Sequence, residues 1–105
     1  MTATDFIIAL PQRVDPAVLQ GIATNFHFDI SGEGGGQYTA EVCDGELEIS
    51  EGFNGEPKCV VKTSNDTFMN VINKKTNPMM AVLMGKIKIS NQGELLKYAK
   101  IFGIM

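Results

Sequence analysis

Between residues 26 and 49 apolar side chains recur at every second position, a pattern that dictates a β-sheet with two chemically different faces. Phe26, Phe28 and Ile30 alternate with His27 and Asp29, and Tyr38, Ala40 and Val42 alternate with Thr39, Glu41 and Cys43. Leu47 and Ile49 alternate with Glu46 and Glu48. Successive strand residues point to opposite faces, so each run has one side to bury. Gly32 to Gly36 separates the first two runs, and Asp44-Gly45 is a tight hairpin signal between the next two. After turns at Gly52 and Asn54-Gly55, Cys59 to Thr63 reads as a fourth strand, and Lys86-Ile87-Lys88-Ile89 as a fifth.

The period is helical elsewhere. Phe6 to Leu10 is a short apolar segment stopped by Pro11. Asp15-Pro16 predicts an N-cap with proline at the first helical position, followed by Val18, Leu19, Ile22 and Ala23 as one stripe. Asn65 predicts a second cap, with Phe68, Met69 and Ile72 sharing a face. Asn77-Pro78 repeats the cap-plus-proline start before Met79–Met84, which is apolar all round. A closing helix begins near Gly93, carries Leu95, Tyr98, Ala99 and Phe102 at helical spacing, and ends at Gly103. One sheet face therefore takes every helix, and the other, carrying Glu41, Glu46, Glu48, Lys62, Lys86 and Lys88, is solvated. The expectation is an α+β domain in which the glutamate and lysine rows pair across strands.

With 105 residues the chain is read as a single domain, 1–105, long enough for a core without metal or disulfide staples. The start lacks the basic and apolar regions of a secretory signal, and no run has the length of a transmembrane helix. Cys43 and Cys59 are expected as thiols. With His27 the sole histidine, the three match no zinc spacing, so no metal or cofactor is expected. His27 has the outward parity of its strand and is expected in solvent, where a general base would lack an orienting partner. No Gly-x-Ser-x-Gly elbow occurs. The Gly32–Gly36 run precedes another strand and lacks a following Lys-Ser/Thr, so it is a hairpin connection and not a phosphate loop. Asn65-Asp66-Thr67 matches a glycosylation acceptor but is better explained as a cap. An acidic chain without interleaved aromatic and basic residues does not point to nucleic acid.

Two features stand out. Residues 1–57 hold ten acids and only Arg13 as a base, whereas residues 58–105 hold eight lysines against Asp66 and Glu94. This asymmetry serves either cross-strand pairing or a basic surface for anionic ligands or membranes. Second, Met69, Met79, Met80 and Met84 lie within one short stretch. Methionine adapts to irregular space and variable partners, so the cluster is either ordinary core or the wall of an apolar cavity or groove.

Ala-Leu-Pro, then Phe-His-Phe-Asp-Ile-Ser-Gly-Glu, then Asp-Gly-Glu-Leu-Glu-Ile resemble the first half of the sterol carrier protein 2 domain family. Cys59-Val60-Val61-Lys62-Thr63-Ser64, Phe68-Met69, Asn77-Pro78 and Met84-Gly85-Lys86-Ile87-Lys88-Ile89 resemble its second half, and this later run is the more specific. The resemblance implies a five-stranded mixed sheet with helices packed on one face, enclosing a hydrophobic tunnel. It implies a carrier and not an enzyme, binding and transferring or presenting a fatty acid, fatty acyl-CoA, phospholipid or isoprenoid. A tail unlike Ser-Lys-Leu and a short closing helix point to a stand-alone prokaryotic, cytoplasmic member.

The implied tunnel would be walled by Phe28, Tyr38 and Ile49 on the sheet. From the helices would come Phe68, Met69, Ile72, Met80, Leu83, Met84, Leu95 and Phe102. Lys74, Lys75, Lys97 and Lys100 are either a solvated helix face or contacts for an anionic headgroup or membrane, and a lipid-metabolising enzyme is a further candidate partner. The competing reading is an accessory module whose apolar groove docks a partner protein.

Overall fold

The computed structural model describes residues 1–98 and residue 101. Helix α1 (Ala3–Arg13) leads through a 3-10 turn (Pro16–Leu19) into strands β1 (Thr24–Ser31), β2 (Gly36–Cys43), β3 (Glu46–Glu51) and β4 (Cys59–Ser64). Helices α2 (Asn65–Ile72) and α3 (Pro78–Leu83), strand β5 (Lys88–Ile89) and helix α4 (Gln92–Tyr98) follow. The strands form one five-stranded mixed sheet in the order β3-β2-β1-β4-β5. The β1–β4 pair is parallel and the others are antiparallel.

Local chemistry accounts for most of these elements. The β2–β3 hairpin closes through Asp44-Gly45, both at positive φ (54° and 78°), the backbone of a type I′ turn. Asp15 caps the 3-10 turn, its carboxylate accepting the Ala17 N–H at 2.9 Å. Asn77 does the same for α3, accepting the Met79 N–H at 2.8 Å. Ser64, and not Asn65, is the N-cap of α2, its hydroxyl accepting the Thr67 N–H at 3.1 Å. The Asn65 side-chain oxygen turns to α1 instead and accepts the Ala3 N–H at 2.8 Å, tying the starts of two helices distant in sequence.

The first segment departs from expectation. Helix α1 starts at Ala3 behind a Thr2–Asp5 capping box and runs through Pro11 to Arg13. Proline near a helix end forfeits only one N–H bond, and burial of Ala3, Phe6, Ile7 and Leu10 on the sheet outweighs that loss. Conversely, the stripe Val18, Leu19, Ile22, Ala23 makes only the four-residue turn, with Leu19 buried and Val18 exposed. The fifth strand is shorter than its alternation suggests, two residues in place of four.

Phe26, Phe28, Ile30, Ala40, Val42 and Leu47 are buried on the face that takes the helices. Ring contacts place three helical elements there: Phe28 lies edge-on to Phe68 of α2 at 6.4 Å, Phe68 edge-on to Phe6 of α1 at 5.7 Å, and Tyr98 of α4 edge-on to Phe26 at 6.1 Å.

The opposite face is only partly solvated. His27 has the outward parity expected of it yet is 5% exposed. Its ring stacks on Phe53 at 4.8 Å, and Nε2 lies 3.1 Å from the Asn54 carbonyl oxygen. The neighbouring Thr39 hydroxyl donates to the Gly52 carbonyl and accepts the Asn54 N–H. Topology is the cause. In the order β3-β2-β1-β4, the chain leaving β3 must cross β2 and β1 to reach β4, and the connection at residues 52–58 lies over Asn25, His27 and Thr39.

The expected Glu–Lys pairing across strands is not made. The register opposes Glu41 to Glu48 and Lys62 to Lys88, like against like. Acids collect on the β2–β3 side and lysines on the β4–β5 side, with Asp29 beside Lys62 between them. Among the described residues the ion pair found is Glu94–Lys97, at 4.0 Å within α4.

Candidate functional site

An apolar cavity of about 50 Å³ lies between β4–β5 and the α2–α3–α4 layer. The sheet contributes Phe28, Val61, Thr63 and Ile89, with Ile87 just before β5. Helix α2 contributes Phe68, Val71 and Ile72, helix α3 Pro78, Met79 and Val82, and helix α4 Gln92, Leu95 and Leu96. Each set follows from its element's period: Val61, Thr63, Ile87 and Ile89 point inward from alternate positions, and Phe68, Val71 and Ile72 are neighbours on a helix. Among the described residues Thr63 and Gln92 are the polar members of this wall, and the Thr63 hydroxyl donates to the Lys86 carbonyl at 2.9 Å. Among the described residues no titratable side chain lines it. Such a site can hold and orient an apolar molecule.

One side of the cavity is thinly closed. Met79 (46% exposed) and Leu96 (49% exposed) both line the cavity and meet solvent, so they mark its mouth. Of α3 only Ala81 is fully buried, while Met80, Leu83 and Met84 are exposed.

Of the residues singled out from the sequence, Phe28, Phe68, Ile72 and Leu95 come together in this wall. Tyr38 and Ile49 lie elsewhere, lining a surface depression beside α1 with Ile8 and Pro11. The Thr4 hydroxyl donates to the Gly35 carbonyl, so the Tyr38 hydroxyl, 3.1 Å from Thr4 Oγ1, is the donor of that contact. Strand order explains the separation, since β2 and β3 lie on the far side of β1 from β4 and β5. Met69 is half-buried outside the wall, and Met80, Leu83 and Met84 point to solvent. Phe102, Ala99, Gly103 and Lys100 lie outside the described residues. Lys74 and Lys75 are exposed at the end of α2, Lys74 at a φ of 61°. Lys97 is exposed beside Glu94 and over the Tyr98 ring.

The expected wall left out Val61, Thr63, Val71, Pro78, Met79, Val82, Ile87, Ile89, Gln92 and Leu96, although Ile87 and Ile89 follow from the alternation of their segment. Val61 and Thr63 have the inward parity that an outward Lys62 already implies, and pairing with β1 sets Val61 beside Phe28.

The two cysteines are free thiols. Burial, offset in part by a hydrogen bond with the Asn91 backbone and reinforced by Glu94, pushes the Cys59 thiol above its ordinary value. The exposed Cys43 thiol is raised mainly by the adjacent Asp44 charge. Among the described residues no His/Cys/Asp/Glu group is arranged to hold a metal ion, and no helix is long and apolar enough to cross a membrane.

Comparison with known proteins gives a consistent picture. The sequence model of the SCP-2 sterol transfer family matches residues 7–103. No curated protein matches the chain in sequence. The fold is similar to palmitated SCP2L2 from Aedes aegypti, at 20% identity and a TM-score of 0.74, covering 97% of this chain and 95% of that one. It is similar to sterol carrier protein domain 2 of Helicoverpa armigera, at 19% identity and a TM-score of 0.72, covering 93% and 80%. All of this chain also superposes on part of the inverting sec-alkylsulfatase Pisa1 from Pseudomonas sp., at 20% identity and a TM-score of 0.78. The chain spans only 16% of that enzyme's length.

Proposed function

This chain belongs to the SCP-2 sterol transfer family, and from that premise we propose that it binds an apolar lipid between its sheet and the α2–α3–α4 layer and transfers or presents it without chemical conversion. The observation that supports the reading is the cavity wall itself, apolar among the described residues apart from Thr63 and Gln92 and open at Met79 and Leu96.

The cavity volume of about 50 Å³ admits no lipid as it stands, because small-molecule pockets run to roughly 300–1,000 Å³. Binding therefore requires the wall to move. The element with least to lose is α3, which is six residues long and fully buries only Ala81. Seating about ten methylenes at roughly 0.8 kcal/mol each gives about 8 kcal/mol gross. Ordering and association costs bring the net to about micromolar affinity, suited to a carrier that must also release. Chain-length discrimination is weak, because one methylene changes the balance little.

Native mass spectrometry of the purified protein, followed by lipid extraction, tests this. A co-purifying acyl or isoprenoid species at one-to-one supports the carrier and names its ligand class. Protein that is empty and also ignores added fatty acids and acyl-CoAs refutes it.

A further inference from the structure

Helix α3 fully buries only Ala81 and leaves its largest apolar side chains in solvent. Met79, Met80, Leu83 and the C-capping Met84 are all exposed, Leu83 to 79% and Met84 to 62%, and Leu96 adjoins Met79 across the cavity mouth. Single exposed apolar residues need no explanation, but four on one short helix are a patch that wants a partner. The surrounding charge narrows the partner. Residues 67–93 contain Lys74, Lys75, Lys86 and Lys88 and no acid, in a chain of net charge −3. The Lys86 N–H donates to the Ala81 carbonyl at 2.9 Å, which holds Lys86 at the end of α3, and Lys74 and Lys75 stand in the short connection between α2 and α3.

We propose that α3 and its flanking lysines dock on a membrane surface rich in anionic lipid. Met79, Met80, Leu83 and Met84 enter the boundary between headgroups and acyl chains, and Lys74, Lys75 and Lys86 meet the phosphates. This places the mouth marked by Met79 and Leu96 against the bilayer, so a chain moves between membrane and cavity without crossing water. The inference rests on the lipid-binding reading for its purpose, while the surface is argued from exposure and charge alone. A second copy is the poorer occupant: a two-fold contact sets the same patch against itself and opposes lysine to lysine.

Flotation of the full chain with vesicles tests the proposal, using phosphatidylcholine alone and phosphatidylcholine mixed with phosphatidylserine. At about fivefold per lysine, three lysines favour the anionic vesicles by about a hundredfold, a preference that high salt removes. Leu83 lies outside the cavity wall, so Leu83→Asp retains uptake of a fluorescent fatty acid and the parent melting temperature while lowering vesicle binding at least about tenfold. Lys74→Gln with Lys75→Gln lowers binding to anionic vesicles by about thirtyfold and leaves phosphatidylcholine binding unchanged. Vesicle binding that is absent, indifferent to phosphatidylserine, or unaffected by Leu83→Asp overturns the docking. So does a concentration-dependent dimer, formed without vesicles, that Leu83→Asp dissolves. If the expected vesicle pattern is found with a protein that takes up no fatty acid, the docking surface stands and the carrier reading falls.

Discussion

Phe68 joins three parts of this fold, and truncating it is the sharpest test of how the cavity is held. Its ring lies edge-on to Phe6 of α1 at 5.7 Å and to Phe28 of β1 at 6.4 Å, is almost fully buried, and forms part of the cavity wall. Phe→Ala in a core costs about 3–5 kcal/mol, the transfer of the ring plus the void left behind. Each edge-to-face partner adds about 0.5–1.5 kcal/mol beyond burial, which puts Phe68→Ala toward the upper end of that range. A chain of 105 residues has a total stability of about 5–15 kcal/mol, so the variant is expected to survive with much of its margin gone. Urea unfolding followed by far-UV circular dichroism should show a lower midpoint at an unchanged slope. The enlarged cavity should also accept a fatty acid, and ligand at a hundredfold its Kd should return about 2.7 kcal/mol. A loss below about 1 kcal/mol would refute the view that Phe68 anchors α2. A loss of full size with no recovery on adding fatty acid would refute the link between this void and the ligand.

Three further outcomes follow from the same structure. Asn77→Ala removes the cap of α3, costs about 1 kcal/mol, and should speed release of a bound fluorescent fatty acid in stopped-flow displacement; an unchanged release rate would separate α3 from the opening motion. Phe53→Ala strips the ring stacked on His27, so hydrogen exchange at the Asn54 amide, which donates to Thr39, should rise while that of β1 stays slow. Cys59 is held above the ordinary thiol value of 9.0, chiefly by burial. The folded state therefore keeps its proton where the unfolded chain loses it, and stability should fall as pH rises past that value. Cys59→Ala should flatten this alkaline decline in pH-dependent melting, and a decline identical to the parent's would assign it to other groups.

The chain's strands, hairpin and charged face were legible because they follow from short-range rules. Alternation at period two identified the inward sets of β1, β2 and β3, and Asp44-Gly45 identified the hairpin. Asn77-Pro78 marked the start of α3 to the residue. Family membership was also written in the sequence, in the run from Cys59 to Ile89.

Tertiary structure decided which of several locally equivalent choices was taken. Helix α1 runs through Pro11 because four buried side chains outweigh one missing hydrogen bond, a balance set by the sheet beneath. Asn65 serves α1 and not its own helix because the fold brings the two N-termini together. His27 is buried despite its outward parity, since parity states which face a residue takes and strand order states what covers that face. Register turned an expected lattice of Glu–Lys pairs into an acidic side and a basic side. Strand order placed Tyr38 and Ile49 away from a cavity built around β4 and β5. Periodicity acts over a few residues and can be read from one strand at a time. Adjacency in the sheet joins residues tens of positions apart, and no single strand carries that information.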